Sequence, residues 1–296
     1  MSSRSLRSKT VGDLFADSDV FLYFGEMFPD AFVECLYCLR EFLKSHSRKP
    51  KVTVLISTPG GSADEAFRIM RLFQEKYKEV HVVIIGACYS AGTLFALGAD
   101  KIFMSDGATL GPLDVQIRKE DDVARMSGEC YRRALYDIGS SAQMIFAQNF
   151  SKLKLHRRLP LSTSTASKIA TEIAVGLLSP ITARIEPIKL GEMMRSQMIG
   201  ASYGKRLMSR CYRSEEIELI LTNLTSGYPS HGTVIDFEES KKLGLKVEKF
   251  DITRDFDGIF LGLERQMICE DYPQKPIMHF LNDMKVDAVI GKDEKQ

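Results

Sequence analysis

Two periods of apolar and polar positions alternate along the first hundred residues. Val20–Phe24 is a short apolar run and reads as a strand. Between Asp30 and Ser45 the apolar positions fall at Phe32, Cys35, Leu36, Leu39, Phe42 and Leu43, a helical spacing that predicts an amphipathic helix. Lys51–Ser57 is β-branched and alternating, a second strand. Ala63–Tyr77 returns to helical spacing, with Ala66, Ile69, Met70 and Phe73 on one face. Val80–Ala87 is apolar throughout, as expected of a strand covered on both faces. A short helix, Ala91–Leu97, and a strand, Lys101–Met104, follow; the turn residues Ser105, Asp106 and Gly107 close it. Strands and helices alternating at this spacing predict an α/β architecture with largely parallel strands. In such sheets, sites gather at the carboxyl ends of the strands.

After Val115 the texture changes. Arg118–Asp122 is a charged loop, and Ser127–Phe150 and Ser167–Ser209 read as helices, the second broken at Pro180 and Pro187. Lys152–Ser164 is a basic linker between them. Ser214–Leu224 is a helix, Thr233–Ile235 a short strand, and Phe237–Leu243 a helix closed by Gly244; Leu245–Val247 returns as a strand. Phe250 onward lacks a strong pattern. The expected organisation is a flexible basic N-terminal segment (1–18), one α/β domain (19–249) with a helical insertion at about 118–224, and a C-terminal extension (250–296).

Composition narrows the class. The chain has 296 residues, 44% of them hydrophobic and 27% charged, the balance of a globular protein with a sizeable core. A formal net charge of +1 gives no overall pull toward nucleic acid. No run approaches the ~18 apolar residues of a membrane span, and no apolar stretch follows the basic first ten residues as in a secretory signal. The six cysteines are scattered and read as reduced, which predicts a cytoplasmic location. Cys35-x-x-Cys38 lies in a helical pattern with no second pair, so it reads as core and not as zinc or redox chemistry. Neither a metal nor a cofactor is expected.

The chemistry concentrates where two strands end. Gly86–Gly92 reads G-A-C-Y-S-A-G and delivers Ser90 from a buried strand to the first turn of a helix. There the serine is either a helix cap or a nucleophile; as a nucleophile it needs a base. The pattern is not the G-x-S-x-G elbow, because position 88 is Cys. About thirty residues upstream, Thr58–Ser62 reads T-P-G-G-S, whose two glycines expose N–H groups that can receive an oxyanion.

The segments Ile56–Ala66 (I-S-T-P-G-G-S-A-D-E-A) and Ala87–Ile102 (A-C-Y-S-A-G-T-L-F-A-L-G-A-D-K-I) resemble the ClpP-like serine peptidases. Leu110–Gln116 (L-G-P-L-D-V-Q) and Ser226–Leu245 bring the resemblance closest to the serine dehydrogenase proteinase family, relatives of signal peptide peptidase A. It covers roughly Val20–Val247. It implies a ClpP/crotonase-type β-β-α spiral with added helices, Ser90 as nucleophile, and the backbone of Gly61 and Ala91 as oxyanion donors. It also implies a serine endopeptidase acting on peptide or protein substrates, and self-association, for which the apolar-rich Ile169–Met208 is a candidate interface.

The sequence departs from the family at the base. The segment after the nucleophile's helix and strand holds Asp114 where ClpP enzymes carry histidine, and the late segment holds His231 where they carry aspartate. With the two exchanged, His231 takes the Ser90 proton and Asp114 orients it, since a triad is defined by roles and not by chain order. The alternatives are a turn role for His231, a cap or an Arg118 partner for Asp114, and a lysine base at Lys168, Lys189 or Lys205. The other histidines, His46, His81, His156 and His279, read as solvated or packed. Two rival functions stand beside the peptidase. One is a catalytically silent interaction scaffold. The other is a crotonase-like acyl-CoA enzyme, against which no carboxylate adjoins Gly61 or Ala91.

Overall fold

The computed structural model describes residues 15, 17–113, 116–117, 126–156, 160–185, 187–228, 230, 232–250 and 275–283. In chain order the first elements are β1 (Ser18–Phe24), α1 (Ala31–Ser45), β2 (Lys51–Thr58), α2 (Ala63–Lys76), β3 (Glu79–Cys88), α3 (Ala91–Ala96), β4 (Lys101–Met104) and β5 (Thr109–Leu110). Then come β6 (Gln116–Ile117), β7 (Met126–Ser127), α4 (Gly128–Leu155), α5 (Thr163–Thr182), α6 (Pro187–Met208), α7 (Ser214–Ser226), α8 (Phe237–Lys242), β8 (Val247–Lys249) and β9 (Ile277–Phe280).

The central sheet runs β8-β4-β3-β2-β1-β9, with β5 pairing the far end of β3. All neighbours are parallel except β9, which is antiparallel to β1. The α/β class and the parallel strands follow the sequence pattern. Phe21, Tyr23, Val52, Val54, Ile56, Val80, Val82 and Ile84 join Cys35 and Leu39 of α1 and Ile69, Met70 and Phe73 of α2 in one core. Burying side chains of this size stabilises by about 1.5–3 kcal/mol each. The alternate residues Val20, Leu22, Leu55, Val83 and Ile85 are buried as well, which is why β3 shows no polar alternation in sequence.

Several boundaries differ from expectation. Pro180 does not break a helix: it lies in the last turn of α5, where a missing N–H removes a single bond. The break falls at Pro187, the first residue of α6, where the fixed φ suits helix entry. The basic linker is shorter than 152–164, because α4 continues to Leu155 and Ser162 caps α5 by accepting the Thr165 N–H (3.0 Å). Thr233–Ile235 is not a strand but one antiparallel bridge, Ile235 to Leu110. Leu245–Val247 is displaced to β8, since Gly244 (φ 88°) must first turn the chain out of α8. β9 lies in a segment without evident pattern; four residues at a sheet edge carry too little alternation to be seen.

The chain divides into two compact units, one built from the chain up to Asp114 and from Gln197 onward, the other from Val115–Ser196. The second contains the β6–β7 ladder and the packed pair α4 and α5; α5 buries Ala166, Ala170 and Ala174. Among the described residues, no helix is long and apolar enough to cross a membrane.

Candidate active site

Ser90 stands between β3 and α3 at φ 52°, ψ −110°. Positive φ is uncommon outside glycine, and this ψ lies well away from the ordinary left-handed well. Such a conformation costs on the order of 1–3 kcal/mol and persists only where the surroundings impose it. The imposing features are visible. The β2–β3 register slips between Ile56 and Thr58, so that Thr58 pairs with Cys88, and the Tyr89 N–H then donates to Thr58 O (3.0 Å). Gly92 lies so close to β2 that a Cβ there would come 2.4 Å from Thr58 Cγ2. The backbone therefore makes a sharp elbow although position 88 is cysteine. The Ser90 side chain is half-buried and makes no cap bond to α3.

The T-P-G-G-S loop is folded against this elbow. A Cβ on Gly60 (φ 105°) would fall 2.7 Å from Tyr89 O and 2.9 Å from Ser90 Cβ. A Cβ on Gly61 (φ 130°) would fall 2.5 Å from Met27 O. Both positions thus require glycine for conformation and for space. Thr58 Oγ1 accepts the Gly60 N–H (3.1 Å), the Met27 N–H donates to Gly60 O (2.7 Å), and the Ser62 N–H donates to Met27 O (2.8 Å). This parallel bridge bonds Met27 to the residues on either side of Gly61, so the N–H and C=O of Gly61 turn to the opposite side. Because β2 lies between β1 and β3, that side is the one from which Ser90 emerges. Among the described residues, neither the Gly61 N–H nor the Ala91 N–H has an acceptor. Met27 carries no motif that would mark it in sequence.

Two further segments converge here. Thr93 Oγ1 lies 3.0 Å from Cys88 O, 2.7 Å from Gly111 O and 3.2 Å from Gly111 N. Leu110 and Ile235 exchange backbone hydrogen bonds (2.8 and 2.9 Å), and the Leu113 N–H donates to Leu224 O (2.9 Å). Asp114 and His231 themselves lie outside the described residues. In sequence, Asp114 comes four positions after Leu110 and His231 four positions before Ile235.

Of the alternative bases, Lys205 is exposed and paired with Glu218, and Lys168 is exposed. The side chain of Lys189 is outside the described residues. His46 stacks on Phe42 and bonds Asp283 (3.0 Å), which raises its pKa. His81 and His279 are held below the ordinary imidazole value, chiefly by burial. Cys35 and Cys38 are free thiols of α1, both pushed up by burial, which fits a core role. Among the described residues, no cluster of His, Cys, Asp and Glu could hold a metal ion.

Two curated relatives from Methanocaldococcus jannaschii match short stretches. The uncharacterized protein MJ0137 is 38% identical over 80 residues, 26% of this chain and 28% of its own length. The uncharacterized protein MJ1495 is 38% identical over 66 residues, 22% and 23%. The chain thus spans about a quarter of the length of these relatives. Among solved structures, a mutant of the 1510-N membrane-bound stomatin-specific protease aligns at 17% identity over 53% of this chain and 70% of its own, with TM-score 0.33. A ClpP1 mutant from Listeria monocytogenes aligns at 18% identity over 53% and 82%, with TM-score 0.28. At such scores these structural likenesses carry no argument of their own. The sequence profile is more informative: residues 36–145, which include both glycine-bearing strand ends and Ser90, match the family of ClpP-like SDH-type serine proteinases, the family that the motifs resemble.

Proposed function

We propose that this protein is a serine peptidase that cleaves peptide bonds through an acyl-enzyme on Ser90. The observation that carries the reading is the backbone of Ser90, strained to φ 52°, ψ −110°, with a side chain that does not cap its own helix. The Ser90 hydroxyl attacks the substrate carbonyl, and His231 takes its proton. The Gly61 and Ala91 N–H groups, two donors without an acceptor among the described residues, receive the oxyanion, each worth about 3–4 kcal/mol in the transition state. His231 then protonates the departing amine, and water repeats the cycle to release the acyl group. Asp114 orients His231; the Leu110–Ile235 bridge, which ties together the two segments leading to these residues, supports the pairing.

Self-association belongs to the same reading. Val175, Leu177 and Ile181 of α5 and Ile188, Met194 and Met198 of α6 are exposed apolar residues within the stretch Ile169–Met208, and they are the side chains an interface there would cover. The free thiols fit a reducing, cytoplasmic setting.

The test is labelling with a fluorophosphonate. The full chain is expected to react at one serine, and Ser90→Ala to abolish the reaction. His231→Ala and Asp114→Asn are expected to slow it. A folded chain that never labels points instead to a catalytically silent scaffold. Sedimentation of the full chain tests the assembly, with a monomer at all concentrations counting against it.

A further inference from the structure

Thr93 is the polar side chain in the otherwise apolar stretch Ala91–Ala96, and it is fully buried. A buried hydroxyl needs partners, and this one finds them in two places that matter. It accepts the Gly111 N–H (3.2 Å), while its single proton is offered to Gly111 O (2.7 Å) and Cys88 O (3.0 Å). Cys88 is the last residue of β3, two before Ser90. Gly111 opens the segment that leads to Asp114, directly after the residue bridged to Ile235. Tyr89 grips the same segment from the other side: its hydroxyl lies 3.0 Å from Thr109 Oγ1, and a Cβ on Gly111 would come 2.9 Å from its ring.

We infer that Thr93 is a positioning residue for the Ser90 reaction. Its hydroxyl ties the elbow that presents Ser90 to the backbone of Gly111, and so fixes the distance between the nucleophile and the bridged segments that lead to Asp114 and to the base, His231. The inference rests on the proposed function. An apolar side chain of the same shape would fill the space equally well but leave both Gly111 backbone groups without their partner, so the segment would be free to shift away from Ser90.

The experiment compares Thr93→Val, which keeps the shape and loses the hydroxyl, with Thr93→Ser, which keeps the hydroxyl. The readout is the second-order rate of fluorophosphonate labelling of Ser90 per folded molecule, measured across pH. A shift of about 1 Å between reacting groups can cost about 100-fold, so Thr93→Val is expected to label about 100-fold more slowly. Thr93→Ser is expected to restore most of the rate and the wild-type pH profile. A merely structural threonine would lower the melting temperature of Thr93→Val without changing the rate per folded molecule, and that result overturns the inference. Should Thr93→Val not fold, Thr93→Cys, isosteric with serine and a weaker hydrogen-bonding group, takes its place, with an intermediate loss expected and an unchanged rate again decisive against it. A wild-type chain that does not label overturns the proposed function and this inference together. A wild type that labels, with a valine variant that matches it, overturns the role of Thr93 alone.

Discussion

Two of the turns from strand to helix, β2 to α2 and β3 to α3, pass through an N-cap serine, and they use it in opposite ways. Ser62 leaves the T-P-G-G loop at φ −71°, ψ 119°, an ordinary extended conformation, and its oxygen accepts the Glu65 N–H at the start of α2. Ser90 occupies the same place before α3 but at φ 52°, ψ −110°, and its oxygen makes no cap bond. In the first turn the strain is taken by glycines: Gly60 and Gly61 adopt the positive φ angles, so the serine after them is relaxed. In the second turn the serine takes the strain itself. A helix-capping oxygen is committed to its own backbone, whereas one held off its helix is available to something else. The comparison therefore separates a serine committed to its helix from one that is not, and on the proposed function the second is the reactive one.

The largest effect expected from this contrast is at Ser90. Ser90→Gly removes the hydroxyl and should abolish labelling, with hydrolysis falling about a million-fold, as for loss of a catalytic nucleophile. The same change should stabilise the fold by about 1 kcal/mol: relief of about 1–3 kcal/mol of strain exceeds the entropy cost of the added glycine. Thermal melting of the two proteins reads this directly. A Ser90→Gly variant that melts lower than wild type would show that the elbow is not strained, and the contrast with Ser62 would fail. Next in size is Gly61→Ala. Its Cβ would meet Met27 O at 2.5 Å with φ at 130°, so the loop must move. The expected cost is about 2–3 kcal/mol of stability from strain and lost packing, together with a labelling rate lower by about 100- to 1,000-fold as the donor is displaced.

Much of this was legible in sequence, and for definite reasons. Val52–Ser57 and Val80–Ala87 are long, apolar and flanked by turn residues, so their strands and the loops at their carboxyl ends stand out. Ser90 stands out because it falls where a buried apolar strand gives way to the first turn of a helix. What sequence could not show is the backbone angle of Ser90, because a capping serine and a strained one are the same letter in the same place. Nor could it show the clamp on Gly61: Met27 contributes only its N–H and C=O, which every residue but proline has. Thr93 did leave a trace, a hydroxyl among apolar neighbours, but its partners are backbone atoms of a segment eighteen residues away. β9 was missed because its pairing with β1 joins residues at opposite ends of the chain, where no local period exists.

At the other turn the effect should be smaller and of a different kind. Ser62→Ala removes the cap on α2 and is expected to cost about 1 kcal/mol of stability, measured by denaturant unfolding. Labelling of Ser90 should be unchanged per folded molecule, since the Met27 bonds to Gly60 and Ser62 are backbone bonds that alanine retains. A fall in labelling as large as that of Gly61→Ala would mean that the Ser62 side chain serves the site and not the helix.

The smallest effect lies away from both turns and isolates them. The Asp283 carboxylate bonded to His46 raises its pKa above the ordinary 6.5. The stabilisation from that pair is therefore complete below the unfolded value and is lost as pH rises through the raised folded value. Burial lowers His81 and His279, so their contributions run the other way, present at neutral pH and lost as pH falls below 6.5. Asp283→Asn removes only the first of these. Because the pair is largely exposed, the wild type should exceed the variant in stability by about 0.2–1 kcal/mol below pH 6.5, with the difference fading as pH rises through the raised His46 value. The pH profile of Ser90 labelling should be the same in both proteins, because His46 and Asp283 touch neither turn. On the proposed function, its acid limb then reports a base other than His46. A labelling profile that moved with Asp283→Asn would couple the elbow to the β9 edge of the sheet, and the two serines could no longer be treated as local devices.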